Sequence, residues 1–162
     1  MEIRPATEAD IPLLCDLAQR IWRECYPGII TAEQIEFMLG RMYSEEEIRR
    51  QFTAGVPWEI VELDGVPVGY QSWQLEDDDR VKISKLYVLP QYQRRGLGAR
   101  MLDHIRECAH AVGANAVWLQ VNKRNKRAIS AYLKAGFHIE KEAVFDIGSG
   151  FVMDDYLMVR AV

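Results

Sequence analysis

The chain has 162 residues, of which 49% are hydrophobic and 27% charged, and a formal net charge of -4. Size scaling buries roughly 70% of the extended chain's surface on folding, so one domain over residues 1–162 needs neither disulfides nor a metal as a staple. No apolar run nears a membrane span, the N-terminus lacks the apolar stretch of a secretion signal, and the acidic balance disfavours a whole-surface nucleic-acid binder. The expectation is a cytoplasmic protein with no membrane or nucleic-acid partner. Cys15, Cys25 and Cys108 are odd in number and far apart, which fits reduced core thiols and no disulfide framework or zinc pair. His104, His110 and His138 carry no metal-ligand spacing, so no metal is expected.

Residues 2–4 read as a short edge strand before Pro5. Thr7 with Asp10 opens a helix along which Ile11, Leu14, Cys15, Ala18, Ile21 and Trp22 recur at helical spacing, stopped by Pro27-Gly28. Thr31 with Gln34 and Ser44 with Glu47 are further capping boxes, predicting two short helices within residues 31–54. The period then changes. Residues 58–63 and 66–75 flank Asp64-Gly65, the signature of an antiparallel hairpin with a primed turn. An acidic turn at 76–79 leads into a strand over 81–89.

Behind that strand, Gln93-Arg94-Arg95-Gly96-Leu97-Gly98 runs into a helix with Leu97, Met101, Leu102, Ile105, Cys108, Ala109 and Val112 on one face, ended by Gly113. A buried strand at 116–121 completes a βαβ unit with parallel pairing. Asn125 starts another helix, closed by Gly136, and residues 137–145 and 152–160 are two final strands around Gly148-Ser149-Gly150. The expected fold class is α+β, a mixed central β-sheet flanked by helices.

Glycines just before a helix let backbone N–H groups approach an anion at the positive end of the helix dipole, so a pyrophosphate suits residues 93–100. A P-loop is excluded because GxxxxGK[ST] is absent, and a Rossmann loop would need glycine where Met101 stands. The pattern [RQ]xxGx[GA] is present in full, preceded by Leu86-Tyr87-Val88-Leu89-Pro90. A second pattern, Asn-x-x-Ala-x-x-x-Tyr-x-x-x-Gly-Phe, stands as Asn125, Ala128, Tyr132, Gly136 and Phe137. With both motifs the sequence resembles the GCN5-related N-acetyltransferase family, and the element order β-α-α-β-β-β-α-β-α-β-β extends the resemblance over nearly the whole chain.

The resemblance implies acetyl transfer from acetyl-CoA to a primary amine by direct attack in a ternary complex. It also implies that the strands from Val81 and Ala116 diverge to admit the pantetheine arm. Backbone groups of Leu86, Tyr87 and Val88 would hold that arm, and Gln93, Arg94, Arg95, Gly96, Leu97, Gly98 and Ala99 the pyrophosphate, with an N–H near Val88 as donor to the developing oxyanion. Asn125, Ala128 and Tyr132 fall on the family's second cofactor-binding segment, and Tyr132 takes the family's position for the acid that protonates the leaving thiolate, a sound choice for a phenol with pKa near 10.

No motif fixes the base; Glu76 is the first candidate, with Glu24 and Asp154 behind it and a water chain as an alternative. Trp22, Glu24, Tyr26 and Asp154 would suit a cationic amine such as a polyamine, while a peptide or protein amine stays open. Asp154 and Asp155 are neighbours on a strand, so only one can face a substrate. Asn125 also reads as a plain N-cap, Tyr132 as a core tyrosine, and the basic run 123–127 as a solvated face. Arg94, Arg95, Arg100, Lys123, Arg124, Lys126 and Arg127 are seven of the 20 basic residues and fit a polyanion. The other function class is a non-catalytic acyl-CoA sensor, and homodimers are common in the resembled family.

Overall fold

The computed structural model describes every residue from Met1 to Val162. Strands β1 (Glu2–Pro5), β2 (Trp58–Leu63), β3 (Val66–Leu75), β4 (Arg80–Val88), β5 (Ala116–Asn122), β6 (His138–Gly148) and β7 (Phe151–Ala161) form one mixed sheet in the order β1-β2-β3-β4-β5-β7-β6. The helices are α1 (Ile11–Cys25), α2 (Ala32–Met42), α3 (Glu45–Thr53), α4 (Leu97–Ala111) and α5 (Lys126–Lys134), with single 3-10 turns at Glu8–Asp10 and Pro90–Tyr92. The α+β class is as expected, and three helices stand between β1 and β2, as the capping pattern implies, where the resembled layout has two. Backbone contacts group the chain into two compact units, residues 1–73 with 85–101 and residues 74–84 with 102–162.

In the first unit, helix starts follow the capping pattern. The Thr31 hydroxyl accepts the Gln34 N–H and the Ser44 hydroxyl the Glu47 N–H, both at 3.2 Å. At the first helical turn the arrangement differs: Asp10 accepts the Thr7 N–H (2.8 Å) and also the Thr7 hydroxyl, and the first turn is 3-10. Asp10 is held further by two guanidinium nitrogens of Arg4, whose Nε reaches Glu62 at 2.8 Å, so one arginine ties β1 to the helix start and to β2. Asp64 (φ 52°) and Gly65 (φ 77°) are both left-handed, the primed turn that the strand twist requires. Val61, Val68, Val88, Leu97 and Met101 form one core cluster.

Gly69 of β3 has a steric reason. A Cβ there would strike the carbonyl oxygen of Tyr87, and next to it the Leu89 N–H donates to Val68 O at 2.8 Å. The close approach of this backbone to β4 therefore needs a residue without a side chain.

In the second unit, β4 and β5 pair in parallel from Arg80↔Ala116 to Ile83↔Leu119, with α4 as the crossover, and both strands continue beyond the last registered pair. β4 begins at Arg80 and ends at Val88, one residue earlier at each end than the pattern suggests. β6 and β7 pair along an antiparallel hairpin longer than expected, its β6 strand carrying register shifts at Ile139/Lys141 and Asp146/Gly148. β7 lies between β5 and β6. No helix is long and apolar enough to cross a membrane.

Two stability predictions follow from these contacts. Gly69→Ala should cost about 1–3 kcal/mol in denaturant unfolding, the range for forcing a methyl into a filled space. Asp10 is held below its ordinary value of 3.8, chiefly by the Arg4 hydrogen bonds, so its contribution is present above that value and lost as pH falls through its lowered one. Arg4→Met should therefore lower stability by roughly 1 kcal/mol near neutrality, with Arg4 one-third exposed, and by progressively less in unfolding measured towards pH 3.

Candidate active site

Arg94 (φ 61°) and Gly96 (φ 77°) are both left-handed, the kind of backbone with which successive N–H groups form anion-binding concavities. α4 starts at Leu97, so its first unpaired N–H groups extend the same cradle. Leu97 is buried and anchors the loop to the core, whereas Arg94, Arg95, Ala99 and Arg100 are exposed. A Cβ added at Gly96 or at Gly98 would meet nothing within 4 Å, so open space lies before both glycines. The donor set and the open cradle fit a pyrophosphate.

Gln93 serves the loop from behind. Its side-chain amide donates to Val88 O at 2.9 Å and lies 3.5 Å from Cys25 Sγ, fixing the loop start to the end of β4. Its side chain therefore works behind the loop, as a positioning group. The Val88 side chain is in the core cluster, while Tyr87 presents its hydroxyl to that of Tyr26 at 3.1 Å.

The second motif resolves into the start and stop of one helix. Asn125 Oδ1 accepts the Ala128 N–H at 3.3 Å as the N-cap of α5. At the other end the Phe137 N–H donates to Tyr132 O (3.0 Å) and the Gly136 N–H to Leu133 O (3.1 Å), with Gly136 at φ 90°. That is a Schellman stop, completed by contact between the Tyr132 and Phe137 rings, 5.9 Å apart. Asn125 and Ala128 thus act on the helix start, and Tyr132, half-buried, is set by the last turn.

The expected substrate residues separate. Trp22 is only 1% exposed, stacked on Tyr26 at 4.2 Å and edge-on to Tyr43. It belongs to the core, which corrects the expectation that it faces a substrate: the helical face that buries Ile21 buries its indole too. Tyr26 is buried with its hydroxyl on Tyr87, and Glu24 is exposed. Asp154 is exposed and already paired with Lys123 Nζ at 2.9 Å, an ammonium that also reaches Glu142 at 3.2 Å. That pairing weakens the case for Asp154 as an amine anchor and takes Lys123 out of the free basic cluster. Glu76 accepts the Trp118 indole N–H at 2.8 Å through Oε2, and Lys82 Nζ stands 5.0 Å from the Trp118 ring centre.

Sequence reasoning misses two buried charges. Lys85 of β4 is 6% exposed, its Nζ 4.5 Å above the Trp58 ring and 5.9 Å from that of Tyr43. Asp155 is 5% exposed, and burial, with Asp154 alongside, pushes its carboxyl up to about 6. Tyr43 and Tyr70 pack edge to face at 5.8 Å, and burial holds both phenols well above their usual range. Only the pleat phase of β7 separates Asp155 from Asp154, and the sequence marks both alternatives equally.

Comparison with known proteins bears on all of these elements. A family model described as "Acetyltransferase (GNAT) family" matches residues 15–137. The uncharacterized N-acetyltransferase Rv2669 of Mycobacterium tuberculosis is 41% identical over 97 residues, covering 60% of this chain and 62% of that protein. The spermidine N(1)-acetyltransferase of Thermoplasma acidophilum is 25% identical over 159 residues, covering 95% of this chain and 96% of that protein. In three dimensions, the PaiA N-acetyltransferase of Thermoplasma acidophilum, solved in complex with coenzyme A, superposes with a TM-score of 0.84 at 22% identity over 99% of this chain and 98% of the other. The fold is shared with that structure, and with the family model spanning both glycine loop and second motif, the chain belongs to the acetyltransferase (GNAT) family.

Proposed function

We propose that this protein is an N-acetyltransferase that moves the acetyl group of acetyl-CoA to a primary amine, with a cationic small molecule of the polyamine class as acceptor. The observation that carries the reading is the cradle formed by Arg94 and Gly96, both left-handed, at the start of α4 directly behind β4. Its N–H groups, with those of Leu97 to Ala99, take the pyrophosphate, and the exposed Arg94, Arg95 and Arg100 add charge. Backbone groups of Leu86, Tyr87 and Val88 hold the pantetheine arm as an added strand, and an N–H near Val88 stabilises the oxyanion as the amine attacks. Acetyl-CoA supplies the activated thioester.

Tyr132 donates its phenolic proton to the departing thiolate. A phenol is protonated at neutral pH, and the α5 stop holds the end of the helix that carries Tyr132, which supports the reading. The polyamine class rests on the relative named as a spermidine N(1)-acetyltransferase and on the acidic groups Glu24 and Glu76.

Thiol release from acetyl-CoA over a panel of polyamines, amino acids, aminoglycosides and peptide N-termini, with calorimetry of acetyl-CoA on the same sample, tests the reading. Release with polyamines alone is expected. Binding without release from any amine would favour an acyl-CoA sensor, and absence of binding would remove the assignment of residues 93–99. Gly96→Ala places a Cβ in a left-handed position, so it should lower stability by about 1 kcal/mol in unfolding and weaken acetyl-CoA binding about tenfold, some 1.4 kcal/mol. Tyr132→Phe keeps the ring contact with Phe137 and should lower turnover about 100-fold while leaving acetyl-CoA affinity as it was.

A further inference from the structure

The glycine loop carries one arginine whose side chain the backbone cradle does not account for. Arg95 turns back along the chain, and its guanidinium carbon lies 5.3 Å from the ring centre of Tyr92, three residues earlier. Tyr92 ends the 3-10 turn Pro90–Tyr92, donates its N–H to Leu89 O at 2.9 Å and packs against the core cluster that includes Leu97 and Met101. The ring is therefore seated before the loop begins. An exposed arginine side chain ordinarily spreads over many rotamers, and a seated ring beneath its charge narrows that spread.

This contact leaves the hydrogen-bonding capacity of the side chain unspent. A ring attracts the cation through its π face and takes up none of the five guanidinium N–H donors in conventional hydrogen bonds. Arg4, Arg23 and Arg50, by contrast, each commit theirs to a carboxylate, at 2.8, 2.9 and 2.6 Å. Arg95 is exposed, and its charge rests on the ring instead. Arg94 and Arg100 are exposed too, but neither is seated on a ring, so both offer a diffuse attraction without a fixed direction.

Acetyl-CoA brings three phosphates, two in the pyrophosphate and one as a monoester on the 3′ oxygen of the ribose. The pyrophosphate suits the backbone N–H groups around the left-handed Arg94 and Gly96 and at the start of α4. The monoester carries about −1.5 to −2 charge at neutral pH and three acceptor oxygens, which a planar guanidinium matches two at a time. Its partner has to be a side chain that is held beside the cradle with free donors, and Arg95 on Tyr92 meets both conditions.

We propose that Arg95, held by Tyr92, receives the 3′-phosphate of the coenzyme and makes the protein select the phosphorylated donor over its 3′-dephospho form, resting on the pyrophosphate cradle proposed above. Selection for that phosphate is a property of one arginine and its ring. An adenine stacked on the same arginine would be common to both donors and leave them bound alike.

Calorimetry with CoA and with 3′-dephospho-CoA tests the proposal, because the second ligand keeps the pantetheine arm and the pyrophosphate and lacks only the monoester. The native protein is expected to bind CoA at least tenfold more tightly than 3′-dephospho-CoA. Arg95→Gln should bring that ratio within about twofold of one while changing the affinity for 3′-dephospho-CoA less than about threefold. Arg95→Lys keeps the charge without the planar fork and should recover a ratio of only about threefold. Tyr92→Leu removes the ring and should lower the ratio to a similar value, whereas Tyr92→Phe keeps the ring and should retain the native one. Melting scans on each variant separate a loss of folding from a loss of selection.

Equal affinity of the native protein for the two ligands overturns the proposal, as does an Arg95→Gln protein with the native ratio. A ratio lost as fully in Arg94→Gln or Arg100→Gln as in Arg95→Gln also overturns it, since the effect would then belong to charge at large. Native protein that binds neither ligand overturns the cradle itself, an outcome distinct from the other three.

Discussion

The parallel pairing of β4 with β5 is the constraint from which the arrangement of the site follows. Parallel neighbours cannot be joined by a tight turn, so a helix must return the chain across the sheet. That helix, α4, begins where β4 ends, and its first free N–H groups lie at the carboxyl end of the strand. Residues 89–96, with the 3-10 turn at Pro90–Tyr92, are the passage between the two. With Arg94 and Gly96 left-handed, the passage becomes a cradle of donors, and Gln93 pins it to Val88. The proposed anion site thus comes from connectivity plus two unusual backbone angles, with side-chain charge as a supplement.

How much of this was legible from the sequence depends on how local the cause is. The Asp64-Gly65 turn, the capping residues Thr31, Ser44 and Asn125 and the stop at Gly136 act within one turn of chain, and the fold uses each of them as the pattern implies. The glycine loop was readable for the same reason. Trp22 was misplaced because helical spacing identifies a buried face without saying whether its edge meets substrate or core. The choice between Asp154 and Asp155 depends on the phase of β7 against β5 and β6, and the two register shifts on β6 are set by pairing across the hairpin rather than by any residue type. Lys85 reads as an exposed strand residue until the rings of Trp58 and Tyr43 are placed around it.

In the first unit that lysine and the tyrosines form a polar interior of an uncommon kind. The Trp22 Nε1, Tyr43 hydroxyl and Tyr70 hydroxyl are enclosed together, and the rings of Trp22 and Tyr70 meet that of Tyr43 edge to face. Ring quadrupoles around Lys85 replace part of the hydration it has lost, and Glu47, drawn down to about 2 chiefly by Arg50, is influenced by Lys85 as well.

The Schellman stop on α5 has a consequence for what the chain can tolerate. The Tyr132 carbonyl is bound by the Phe137 N–H, so the direction of the phenol is counted from the end of the helix. Each residue of an α-helix turns its neighbour by about 100°. Adding or removing one residue between Tyr132 and Gly136 would swing the hydroxyl to another side of the helix while leaving composition and hydrophobicity almost unchanged. Chain length in this stretch is therefore itself a chemical parameter, fixed as tightly as the identity of the tyrosine.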